Sequence, residues 1–146
     1  MSSLCLANFL FKFLKLDKQD IYNNYTPLFK NISIENSFDM DKIINNSYIF
    51  NWKGNPKNMH EKSNRGMDLK YAIPLFNLKN ITFIVVTKNI TVKEKQILLE
   101  NNVKYIGDQI DNNENCFEDT IGIFKNVDGV ISTDTSLVHL AANLDV

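Results

Sequence analysis

The sequence predicts an α/β protein: a parallel sheet with flanking helices. Short β-branched runs alternate with stretches of helical apolar spacing, and the runs give way to Gly or small polar residues, as strands that hand over to helices do. At least four parallel strands are expected, near Ser47 to Trp52, Thr82 to Thr87, Val103 to Ile106 and Gly129 to Ser132. A chain of 146 residues with 44% apolar and 23% charged side chains can form one ordinary domain with a core and a solvated surface. Its net charge of -1 gives no basic footprint, which argues against nucleic acid or an anionic membrane as the main partner and leaves small molecules.

Residues 1–46 precede the first strand. Leu4 to Leu16 is apolar, with Phe9, Leu10, Phe13 and Leu14 at helical spacing; it is too short to span a bilayer. It reads as a packed amphipathic helix or as an exposed patch. Asp17 to Asn46 is Asn-rich and polar around Tyr22, Tyr25 and Phe29, an irregular linker. Cys5 and Cys116 are the only cysteines and lack Cys-x-x-Cys spacing, so neither zinc nor a disulfide is expected, and reduced thiols suit a cytoplasmic protein.

The first strand is punctuated by Lys53-Gly54-Asn55-Pro56, and Lys57 to Met67 then reads as an exposed polar loop. Loops after the carboxyl ends of strands are where open α/β sheets bind ligands. Asp68 caps a helix from Leu69 through Phe76, with Pro74 kinking its middle. Thr82 to Thr87 is the most continuous β-branched run and reads as a central strand. Thr91 and Glu94 form a capping box for a helix through Asn101, with Ile97 and Leu98 facing the core. A polar loop, Asp108 to Asn115, leads to a helix ending near Asn126 whose apolar face is Phe117, Ile121 and Phe124; Asp119 complements its dipole.

The last stretch reads as buried strand, tight loop and helix: Val130 and Ile131, then Ser132 to Ser136, then Leu137, Leu140, Ala141 and Leu144 at helical spacing. The loop hydroxyls can cap the helix or hold a phosphate at its N-terminus.

Asp128, Val130, Ile131, Ser132, Asp134, Thr135, His139, Leu140 and Ala141 together resemble the donor-site signature of heptosyltransferase-like, tetratricopeptide-associated nucleotide-sugar glycosyltransferases. A second block resembles the same family through Trp52, Gly54, Asn55, Pro56, His60 and Arg65, although Glu61, Ser63 and Asn64 occupy the zone of its Asn-Asp and Gly66 replaces its Ser. Phe117, Asp119 and Thr120 match a third, F-x-D-T-A.

The resemblance implies half of a two-domain GT-B type enzyme: a partial, Rossmann-like donor-binding domain at 47–146, truncated at its C-terminus, with residues 1–46 closing a missing N-terminal acceptor domain. It implies a nucleotide diphosphate-sugar as donor, with no cofactor and no metal, the diphosphate being held by the helix dipole and basic side chains. Backbone N–H groups of Thr135 and Ser136, with the Thr135 hydroxyl, would receive the diphosphate, and Asp134 would bind the sugar. Asn55 belongs to the same set. Lys53 or Arg65 would offset the leaving charge, or else be solvated loop cations. His139 would orient the loop or touch the diphosphate and is not expected to be the acceptor base, which leaves the catalytic residue unassigned. The alternative is a non-catalytic nucleotide-sugar-binding module or truncated remnant.

Overall fold

The computed structural model describes residues 46–55, 66–112 and 117–146. The N-terminal segment, both cysteines, His60 and Arg65 lie outside the described residues.

Four strands form one parallel sheet: β1 (Ser47–Asn51), β2 (Thr82–Val85), β3 (Lys104–Tyr105) and β4 (Gly129–Ser132), in the order β3-β2-β1-β4. All four expected strands are present, and every pairing is parallel. The register sets Tyr48 beside Phe83 and Gly129, and Asn51 beside Ser132. Asp128 fastens the start of the sheet: its carboxylate accepts from Ser47 N–H at 2.8 Å, and its own N–H reaches Ser47 carbonyl at 2.8 Å.

Between β1 and β2 a 3-10 turn (Leu69–Ala72) continues into α1 (Ile73–Phe76). Asp68 caps the turn through Lys70 N–H at 3.1 Å. Pro74 does not kink a continuous helix; it sits in the first turn of α1, where a missing N–H costs nothing, and the helix type changes just before it. The helix α2 (Val92–Glu100) has both halves of the Thr91/Glu94 capping box. The helices α3 (Glu118–Phe124) and α4 (Ser136–Leu144) follow.

Alternation along the strands divides the core into two. On one face Ile49, Ile84 and Ile106 meet Ile123 and Phe124 of α3 and Ala141 and Leu144 of α4. On the other, Phe50, Trp52, Phe83 and Val85 meet Leu69, Ala72, Phe76 and Leu98. Phe50 and Phe76 pack edge-on, with ring centroids 5.2 Å apart.

Two expectations are corrected. β4 is an edge strand of the described sheet, hydrogen-bonded to β1 alone, and Ile131 is 40% exposed. Ile131 lies on the Phe50 face, whose helical cover packs over the neighbouring strands. Phe117 is not on the buried face of α3. It precedes the helix with φ 69°, a left-handed conformation unfavourable to a bulky side chain, and is 40% exposed.

Candidate functional site

Chain order creates the site. From β1 the chain moves outward to β2 and β3, then crosses back to place β4 on the opposite flank of β1. At such a reversal the loops after two adjacent strands diverge and leave a crevice beyond their carboxyl ends. A cleft of ≈ 250 Å³ lies there, its lining including Asn51, Lys53, Thr87, Lys88, Thr135 and Ser136.

At the floor, Asn51 is only 2% exposed and ties three strand ends together. Its Oδ1 accepts from Thr87 Oγ1 at 2.6 Å, and its Nδ2 donates to Ser132 Oγ at 3.1 Å and Thr135 Oγ1 at 3.2 Å. This network overturns the simple capping role for the Thr135 hydroxyl. Thr135 is the N-cap residue of α4, yet its side chain makes no cap hydrogen bond, because the Asn51 amide and Ser132 hydroxyl engage it from the other side.

The helix starts differ in how they are served. Asp68 caps the turn before α1, and Glu94 completes the box of α2. Asp111 reaches across to α3: its carboxylate accepts from Asp119 N–H at 2.9 Å, from Thr120 N–H at 3.3 Å and from the Thr120 hydroxyl. By contrast, α4 has neither a side-chain cap bond nor an acidic residue in its first turn. A helix start carries N–H groups without intrahelical partners and a partial positive charge.

Of the residues singled out in the sequence, Lys53, Asn55, Thr135 and Ser136 line the cleft together. Lys53 is held: its ammonium lies 2.8 Å from both oxygens of Glu94, which also accepts from Trp52 Nε1 at 3.2 Å. Asp134 and His139 are not among the lining residues; they face each other at 3.6 Å with side chains 57% and 75% exposed.

Sequence reasoning missed Asn51, Thr87, Lys88 and Asp111. Lys88 lines the cleft and gives its ammonium to the Asp111 carbonyl at 2.7 Å, a neutral acceptor that leaves its charge uncompensated by that bond. Its signal was its position just past the carboxyl end of β2. Three lining residues, Asn89, Asp111 and Phe117, have positive φ; Asn and Asp accept this readily, whereas Phe117 does so at a cost.

No group of three or more His, Cys, Asp or Glu able to hold a metal is found among the described residues. No helix among them is long and apolar enough to cross a membrane. No protein-family model matches the chain, and neither a curated protein nor a solved structure matches it. Fold and site therefore stand on the sequence and geometry: a Rossmann-like parallel sheet with a cleft at its topological reversal.

Proposed function

We propose that this domain binds a nucleotide diphosphate-sugar, as the donor half of a GT-B type glycosyltransferase. The observation that carries the reading is the uncapped start of α4 at the reversal of the sheet, beside a cleft that also holds Lys88. The 3-10 turn, α2 and α3 each begin on a carboxylate of the chain itself, whereas the N-cap Thr135 of α4 makes no side-chain cap hydrogen bond and the first turn of α4 holds no acidic residue. An incoming diphosphate matches that start. The resemblance around Asp134, Thr135 and His139 points to the same corner.

In the transfer, an acceptor oxygen bonds to the anomeric carbon of the sugar while the bond from that carbon to the diphosphate oxygen breaks, its electron pair leaving with the diphosphate. The α4 start, the Thr135 hydroxyl and Lys88 stabilise the charge that collects there. Lys53 acts on the same side when it exchanges Glu94 for phosphate, and Asp134, next to Thr135 but outside the lining, receives a sugar hydroxyl when it turns from His139. The acceptor and the base that takes its proton come from an opposing domain. A cleft of ≈ 250 Å³ falls below the roughly 300–1,000 Å³ of most complete small-molecule sites, in keeping with one wall of a two-domain crevice.

Calorimetric titration of the purified chain with a panel of nucleoside diphosphates and their sugars tests this. Binding competed by inorganic pyrophosphate, weakened by Thr135→Val and by added salt, is the expected result. Sugar transfer by the chain alone is not expected, because the acceptor has no positioned partner. Failure of every nucleotide to bind would remove the reading; binding with no transfer even beside an acceptor domain would leave only a nucleotide-sugar-binding module.

A further inference from the structure

Asn51 is an amide buried in a strand that is otherwise mainly apolar, and burying such a group is unfavourable unless its polar atoms are paired. Here all of them are, and the pairing has a direction. Thr87 donates to the Asn51 carbonyl, and the amide spends its two N–H bonds on Ser132 and Thr135. Turned over, the amide would set its carbonyl against those two hydroxyls and leave one N–H without an acceptor at Thr87. It would also compete for the Ser132 proton, which now goes to the Thr133 carbonyl at 2.8 Å.

With the amide fixed this way round, the Thr135 hydroxyl accepts from Asn51 and retains a proton to give. Ser132 Oγ, 3.1 Å away, is its resting acceptor within the protein. The cleft, which Thr135 lines, is the other direction available to that proton.

We infer that Asn51 is a positioning residue that makes Thr135 a hydrogen-bond donor toward the cleft, so that the ligand atom seated against Thr135 is a phosphoryl oxygen. The inference rests on the nucleotide-sugar reading and deepens it, naming Asn51 as the residue that sets the direction of the Thr135 hydroxyl bond. A hydrogen bond to an ionised oxygen is the stronger kind, so the proton moves from Ser132 to the ligand when the diphosphate arrives. Thr87 acts at one remove, by holding the carbonyl end of the amide.

The test is titration of the full chain with UDP and inorganic pyrophosphate, with circular dichroism and Trp52 emission reporting the fold of each variant. Thr87→Val should weaken both probes about fivefold or more, while Thr87→Ser, which keeps the donor, retains wild-type affinity. In a Thr135→Val background Thr87→Val should add nothing further, since the proton being directed is gone. Asn51→Asp puts acceptors where the amide now donates and so draws the Thr135 proton away from the cleft; pyrophosphate affinity should fall at least fivefold, and this arm decides the matter if Thr87→Val fails to fold. Equal weakening by Thr87→Val in both backgrounds, or wild-type pyrophosphate affinity in Asn51→Asp, would overturn the inference. Wild-type binding with either of those results removes this inference alone, whereas a wild type that binds neither probe removes the nucleotide-sugar reading and this inference with it.

Discussion

Lys53 and Glu94, 41 residues apart in the chain, meet with the ammonium 2.8 Å from both carboxylate oxygens. The same carboxylate closes the capping box of α2, accepting from Thr91 N–H at 2.6 Å, and receives Trp52 Nε1. One side chain thus joins the end of β1 to the start of α2. Burial pushes the Glu94 carboxyl up, but hydrogen bonds from Lys53 and Thr91 outweigh it and hold the group below its ordinary value of 4.5. A carboxyl whose pKa is lower folded than unfolded contributes stability that is present above the unfolded value and is lost as pH falls through the folded one.

The wild type should therefore exceed Glu94→Gln in stability at pH 6, and the gap should close as pH falls below about 4.5. Urea melts followed by emission of Trp52, the only tryptophan and 1% exposed, measure it. A gap that persists unchanged at pH 3 would contradict the assignment.

Gly107 is required by its neighbours. A Cβ there would lie 2.3 Å from the Thr87 carbonyl oxygen and 2.9 Å from the Tyr105 ring. Gly107→Ala is expected to cost about 1–3 kcal/mol by forcing backbone apart. Because the strain falls on Thr87, diphosphate binding should weaken as well; thermal melts and titration of the same sample show both.

Asp111 substitutes for the cap that Phe117 cannot supply, and Asp111→Ala should cost about 0.5–2 kcal/mol in chemical denaturation. Asp119 N–H and Thr120 N–H should then exchange with solvent faster, while amides in the interior of β2 should not. Uniform acceleration across the molecule would show that the residue does not act locally.

His139 and Asp134 form an exposed pair, and pairs of that kind contribute little. His139→Ala should change stability by no more than about 0.5 kcal/mol. Its effect on nucleotide affinity should stay within a few-fold, as suits a residue that orients the loop from outside. Loss of all binding with an intact melting curve would place the imidazole on the ligand itself.

The strands and caps that depend on neighbouring residues were legible in the sequence. Thr82 to Val85 announces itself by β-branching, and Thr91 with Glu94 by spacing. What could not be read is whatever depends on residues that meet only in the fold. The edge position of β4 is decided by crossover order, not by Val130 or Ile131. Asn51 looks like the end of an apolar run until Thr135, 84 residues later, comes to lie beside it. Asp111 caps α3 from eight residues before Asp119, outside the usual capping window, and the twist at Phe117 moved that ring out of the face its spacing suggested. In the candidate site, Thr135 and Ser136 were found from their place before a helix, whereas Thr87 and Lys88 were overlooked because they trail a strand that drew attention to its interior.

The central place of β1 has a consequence during synthesis. Its partners begin at Thr82 on one side and at Gly129 on the other, so its second edge is matched only when a segment 81 residues downstream has left the ribosome. Until then the strand offers bare N–H and C=O groups to any extended neighbour, and contacts so distant in sequence form slowly. The crevice between β1 and β4 does not exist in any shorter nascent chain. Competence for the proposed donor thus arrives in one step, with the docking of β4, and a nucleotide bound there as proposed would select the finished sheet over its unpaired precursors.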